Sequence, residues 1–139
     1  MDVAVGPFSF ARGNRNEEYN QLLDIHEIRE FLSRVVKRGK TLTKDFIKSV
    51  KDSENKNPRC FICIEVENKS TRKHFMGSAF NSSIMGKVGI VISYDEGKME
   101  KVFSYLKEMI MREKLSPKIL DNVIWITKEK FDEIMKSYD

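Results

Sequence analysis

FICIEVENK, residues 61–69, alternates in a way that only an extended strand makes sense of. Ile62, Ile64 and Val66 fall on one side, and Phe61, Cys63, Glu65, Glu67 and Lys69 on the other. The first half is apolar on both sides, as expected of an inner strand covered on both faces. The second half sets two carboxylates and an ammonium in a row, with neighbours roughly 7 Å apart at two strand rises. Carboxylates drawn out of water next to each other repel and lose hydration, unless something compensates them. A hard divalent cation such as Mg²⁺ does so through carboxylate oxygens, keeping several waters of its own. The plainer reading is that the strand runs out into solvent at Glu65, leaving a wet end with a weak surface ion pair.

Outward from this strand the chain reads as alternating elements. DVAVGPFSF reads as a strand closed by Gly6-Pro7, and ARGNRNEEYNQ as a polar loop. Ile25, Ile28, Leu32, Val35 and Val36 follow helical spacing, with Arg29, Arg34, Lys37 and Arg38 on the other face. A second helix is expected over Thr43–Val50, capped by Thr41 or Thr43. After the charged loop KDSENKNP and the strand Arg59–Lys69, helical spacing returns at Lys73–Met85. That segment is rich in small residues (Gly77, Ser78, Ala79, Ser82, Ser83), which let a helix lie close to a sheet. GKVGIVISY is a strand of the kind buried on both faces; Met99–Ile110 an amphipathic helix; Asn122–Ile126 a strand; Lys128–Tyr138 a closing helix. The order predicts an α/β layer arrangement, helices packed on a central mixed sheet, in one domain over residues 1–139.

The composition, 40% hydrophobic and 33% charged, supports a packed core and excludes disorder. No apolar run is long enough for a membrane span, and the N-terminal segment lacks the features of a signal peptide. A soluble, cytoplasmic protein is expected. The net charge of +4 and pI near 9.0 are compatible with a nucleic-acid partner without demonstrating one. Cys60 and Cys63 have C-x-x-C spacing, but residues three apart on a strand point to opposite faces and no second ligand pair is spaced for zinc. They are expected to be diverging core thiols. No Gly-rich phosphate loop follows a strand.

A strand carrying an Asp (Asp2 in MDVAVGPF), a strand ending Glu67-Asn68-Lys69, then a helix and a further strand resembles the PD-(D/E)xK nuclease superfamily. Glu65-Val66-Glu67 offers a second register, since some members place an acidic residue where the lysine usually stands. The resemblance spans roughly residues 1–95. It implies a restriction-endonuclease-like three-layer core and a metal-dependent endonuclease of the restriction or DNA-repair type, using Mg²⁺ or Mn²⁺. Asp2 with Glu65 or Glu67 would hold the metal, and Lys69 would position or help deprotonate the attacking water. Arg72, Lys73 and His74 would meet backbone phosphates and Asn81 would face the site. The family core normally has a helix and a strand before the Asp-bearing strand. Here Asp2 follows the first residue, so those elements are missing, belong to a longer protein, or come from a partner; a homodimer is one form of partner. The rival readings are a nucleic-acid-binding module with a decayed site, and a protein-interaction module whose charged strand end is merely solvated.

Overall fold

The computed structural model describes residues 2–9, 15–53, 55–68, 71–112 and 120–139. Among these the chain forms six helices and one four-stranded sheet: β1 (Val3–Val5), α1 (Asn16–Leu22), α2 (His26–Arg38), α3 (Phe46–Lys51), β2 (Cys60–Glu67), α4 (Arg72–Met85), β3 (Gly86–Ser93), α5 (Glu96–Arg112), β4 (Val123–Thr127) and α6 (Lys128–Lys136). The strands lie in chain order, β1-β2-β3-β4. β1 runs antiparallel to β2, while β2, β3 and β4 are mutually parallel, each joined to the next through a helix. The expected α/β arrangement with a mixed sheet is present. None of the described helices is long and apolar enough to cross a membrane.

The sheet is covered on both faces. Ile62, Val88, Ile90, Ile92, Ile124 and Ile126 pack with Tyr19, Leu23, Leu32, Val35, Phe46, Val50 and Ile134 from the α1, α2, α3 and α6 layer. Val91, Val123 and Trp125 pack with Phe75 and Ala79 of α4 and with Met99, Val102, Phe103 and Leu106 of α5. β3 is buried along all eight residues, as its unbroken apolar run predicts. The small residues of α4 have the expected use. A Cβ added at Gly89 would sit 2.8 Å from Ser82 Oγ and 3.0 Å from the Ser82 carbonyl carbon, so α4 lies directly on β3. The free edge of β4 is closed by Lys40, which exchanges two main-chain hydrogen bonds with Trp125 (2.7 and 2.9 Å). Gly39 makes this approach possible, because a Cβ there would stand 2.6 Å from the Trp125 carbonyl oxygen.

Three local expectations are corrected. Part of the polar stretch read as a loop is the helix α1. Its few apolar residues are decisive: Tyr19 is fully buried, its ring lies 5.9 Å from that of Phe61, and its hydroxyl donates to the Pro7 carbonyl at 2.8 Å. Tyr19→Phe is expected to lower unfolding stability by about 1 kcal/mol in urea denaturation, the usual net contribution of one such bond. The cap of α3 is Asp45, whose Oδ1 accepts from the Lys48 amide at 3.2 Å, in place of Thr41 or Thr43. The thiols of Cys60 and Cys63 are buried and free, but they do not diverge. Cys60 Sγ donates to the Met85 carbonyl at 3.5 Å, and the Cys63 thiol beside it pulls Cys60 below the usual thiol range, while Cys60 and burial push Cys63 up.

Candidate acidic site

β2 carries Ile62 and Ile64 toward α2, and Cys63, Glu65 and Glu67 toward α4. Both glutamates are buried, at 8% and 9% exposure, so the strand does not run out into solvent at Glu65. The helix that follows β2 meets them. Thr71 caps α4, its hydroxyl oxygen accepting from the His74 amide at 3.4 Å. Ser78 and Asn81 then fall one turn apart on the face turned to the sheet. The Ser78 hydroxyl donates to Glu67 Oε2 at 2.8 Å, and Asn81 Nδ2 donates to Glu65 Oε1. Across β3 the same level holds Val91 opposite Glu65 and Ser93 opposite Glu67.

Asp2 approaches from β1. Val3 pairs with Ile64, so one further step of the antiparallel register brings Asp2 level with Glu65. Its amide donates to the Ile64 carbonyl at 3.2 Å and its Oδ2 accepts from the Val66 amide at 2.7 Å. Asp2 is thus beside the acidic stretch, exposed, with its carboxylate on the main chain of β2. Among the described residues no group of three His, Cys, Asp or Glu side chains is gathered to hold a metal ion. Lys69 lies outside the described residues.

Carboxylate oxygens are the donor type a hard cation takes, but among the described residues the three acids do not converge on one point. An ionised carboxylate offers about four lone-pair sites, and the Ser78 and Asn81 bonds are of the kind that orient ligating carboxylates from behind. Asp2, Glu65 and Glu67 are the residues that would hold Mg²⁺ or Mn²⁺, with Ser78 and Asn81 aligning the two glutamates.

The basic candidates spread out. Arg72, Lys73 and His74 are exposed on the first turn of α4, on the same side of the sheet as the two glutamates. The Arg72 guanidinium lies over the Tyr105 ring of α5, 4.2 Å from its centroid. The basic face of α2 belongs to the opposite layer. Part of it is neutralised there, with Arg34 paired to Glu30 at 2.7 Å and Arg38 to Glu133.

Three side chains escaped the sequence reading. Ser78 was visible only as a small residue, although its three-residue spacing from Asn81 matches the pair of glutamates on the strand. Tyr105 gave no signal before its contact with Arg72 was known. Lys87, inside the apolar run of β3, is 1% exposed, and its Nζ donates to Asn16 Oδ1 at 2.7 Å. Burial holds this ammonium down to about 8.

Neither protein-family models, nor curated proteins, nor solved structures match this chain.

Proposed function

We propose that the chain is a metal-dependent nuclease of the PD-(D/E)xK type with a restriction-endonuclease-like core, hydrolysing phosphodiester bonds in DNA. The observation that carries this reading is the pair Glu65 and Glu67, buried on one face of an inner strand and each held by a side chain of the next helix. Burying two like charges side by side opposes folding unless their partners compensate it. The order of an Asp-bearing strand, an acidic strand antiparallel to it, a helix and a parallel strand supports the same reading.

A divalent ion would supply polarisation of the phosphoryl oxygen and a water of lowered pKa. The chain's own contribution is to hold carboxylate oxygens ready, with Ser78 and Asn81 limiting their rotation. Lys69, in the role the family resemblance implies, would position the attacking water. Arg72, Lys73 and His74 would meet the phosphates on either side.

The test is incubation with duplex, single-stranded and branched DNA in Mg²⁺ or Mn²⁺. Cleavage is expected from the parent and not from Asp2→Ala or Glu67→Ala. No metal-dependent cleavage of any of these by the intact parent would sink the enzymatic reading; cleavage that survives a chelator would sink the metal mechanism.

One observation favours a second reading, a nucleic-acid-binding module without catalysis. The Asp2 carboxylate is engaged by the Val66 amide and stands apart from any three-acid cluster among the described residues. That reading expects DNA binding that weakens with salt and is indifferent to metal.

A further inference from the structure

The helix α4 is apolar on two sides. Phe75, Ala79 and Ser82 are buried beneath it. From Phe75 to Met85 its exposed positions are Gly77, Phe80 and Ile84, with no polar residue among them. Phe80 is 37% exposed and Ile84 63%. With Lys73, also exposed, these residues follow one another at steps of four, three and four, which sets them in one seam along the outer face. A helix that is apolar all round is ordinarily covered all round. The sheet and α5 cover only one side of α4.

The seam has relief. A Cβ added at Gly77 would meet nothing within 4 Å, so the chain leaves a notch there unfilled. One turn further on, Phe80 offers a ring. This relief matches itself. In an antiparallel pair of identical helices about a two-fold axis, residue i faces residue j of the other copy, and j faces i. An axis passing between positions 78 and 79 puts Phe80 of each copy over Gly77 of the other. The same axis puts Lys73 opposite Ile84, since both lie equally far from it.

The charges of α4 fit the same arrangement. Arg72 and Lys73 stand in its first turn, with no acidic residue there and no basic residue in the last turn. That is the reverse of what the helix macrodipole favours, which is anions at the N-terminus and cations at the C-terminus. An antiparallel copy sets Lys73 at the negative end of the other α4, with its methylene stem along Ile84. A foreign apolar helix could fill the seam, but a second copy answers both the notch and the reversed charges.

We infer that two copies of this chain associate through the outer faces of α4, packed antiparallel with Phe80 of each seated on Gly77 of the other. The inference stands apart from the nuclease reading and assigns Lys73 to the interface rather than to a phosphate. The seam is about three turns long, so the contact falls at the small end of specific interfaces, below about 1,200 Å² in total, and the dimer is reversible.

The experiment is sedimentation equilibrium of the chain from about 10 μM to about 1 mM. The parent is expected to pass from monomer to dimer over this range. Gly77→Leu fills the notch, and Ile84→Lys sets an ammonium against Lys73 of the other copy; each should weaken the dimer about tenfold or more. Both positions are exposed, so thermal melts should match the parent or exceed it. Adding Lys73→Glu to Ile84→Lys replaces the repulsion by an ion pair and should restore association. A parent that stays monomeric at every concentration overturns the inference and leaves the face to a different partner. Dimers that ignore Gly77→Leu and Ile84→Lys overturn it too, and a double variant that stays monomeric overturns the antiparallel pairing.

Discussion

The double variant Glu65→Gln, Glu67→Gln is expected to melt at a higher temperature than the parent and to cut DNA roughly a thousandfold more slowly. The two effects have one cause. Glutamine is nearly isosteric with glutamate and keeps the oxygen that accepts from Ser78 Oγ and Asn81 Nδ2, so the contacts to α4 persist. What disappears is charge on a face where both side chains are more than nine-tenths buried. Removing two charges from that face relieves whatever part of their desolvation the surrounding hydrogen bonds do not offset, a change on the order of 1 kcal/mol. If the pair holds a divalent ion as proposed, the same removal would take hard oxygen ligands from it, and each 1.36 kcal/mol lost at the transition state would be about tenfold in rate. Thermal melts and single-turnover cleavage on the same preparations read both quantities. A double variant that melts well below the parent would make the carboxylates structural and remove the main support for the site.

Lys87→Met is expected to stabilise the protein by about 2 kcal/mol at pH 7, and the advantage should vanish by about pH 10.5. Lys87 is held down to about 8 by burial and by the charge of Lys56, with Asp52 opposing. A folded-state pKa below the unfolded value means that the fold favours the neutral amine. Below about pH 8 the group is charged in both states, and the full penalty of burying the ammonium is present. Between about 8 and 10.5 the folded form is neutral and the unfolded form still charged, so the parent regains stability as pH rises. Above 10.5 both are neutral and no penalty remains. The whole shift would correspond to about 3 kcal/mol, and losing the bond from Nζ to Asn16 Oδ1 offsets about 1. Urea unfolding of both proteins from pH 6.5 to 10.5 measures the closing gap. A constant gap would show that the ammonium is solvated in the folded state.

Much of this fold is legible locally. The alternation of FICIEVENK, the unbroken apolar run of β3 and the helical spacing of α2, α4 and α5 depend on neighbours two to four residues away, and each marks an element the structure contains. That Glu65 and Glu67 share a face follows from the same local rule. The helix α1 is hidden because its polar residues outnumber the apolar ones, and its one buried residue, Tyr19, is anchored by a partner outside the segment, the Pro7 carbonyl.

The rest is decided by pairings between distant elements, which no local pattern encodes. Whether Glu67 is wet or buried depends on where α4 lands, and that depends on the close fit of Gly89 against Ser82. The register of β1 on β2 brings Asp2 level with Glu65 but also commits its carboxylate to the Val66 amide. Arg72 meets Tyr105 only because α4 and α5 pack side by side. The sequence by itself determined the layer arrangement and the facing of the acidic row, because backbone periodicity sets which way side chains point. Only the tertiary structure decided which polar groups those side chains meet, because hydrogen bonds and burial are set by the other elements brought against them.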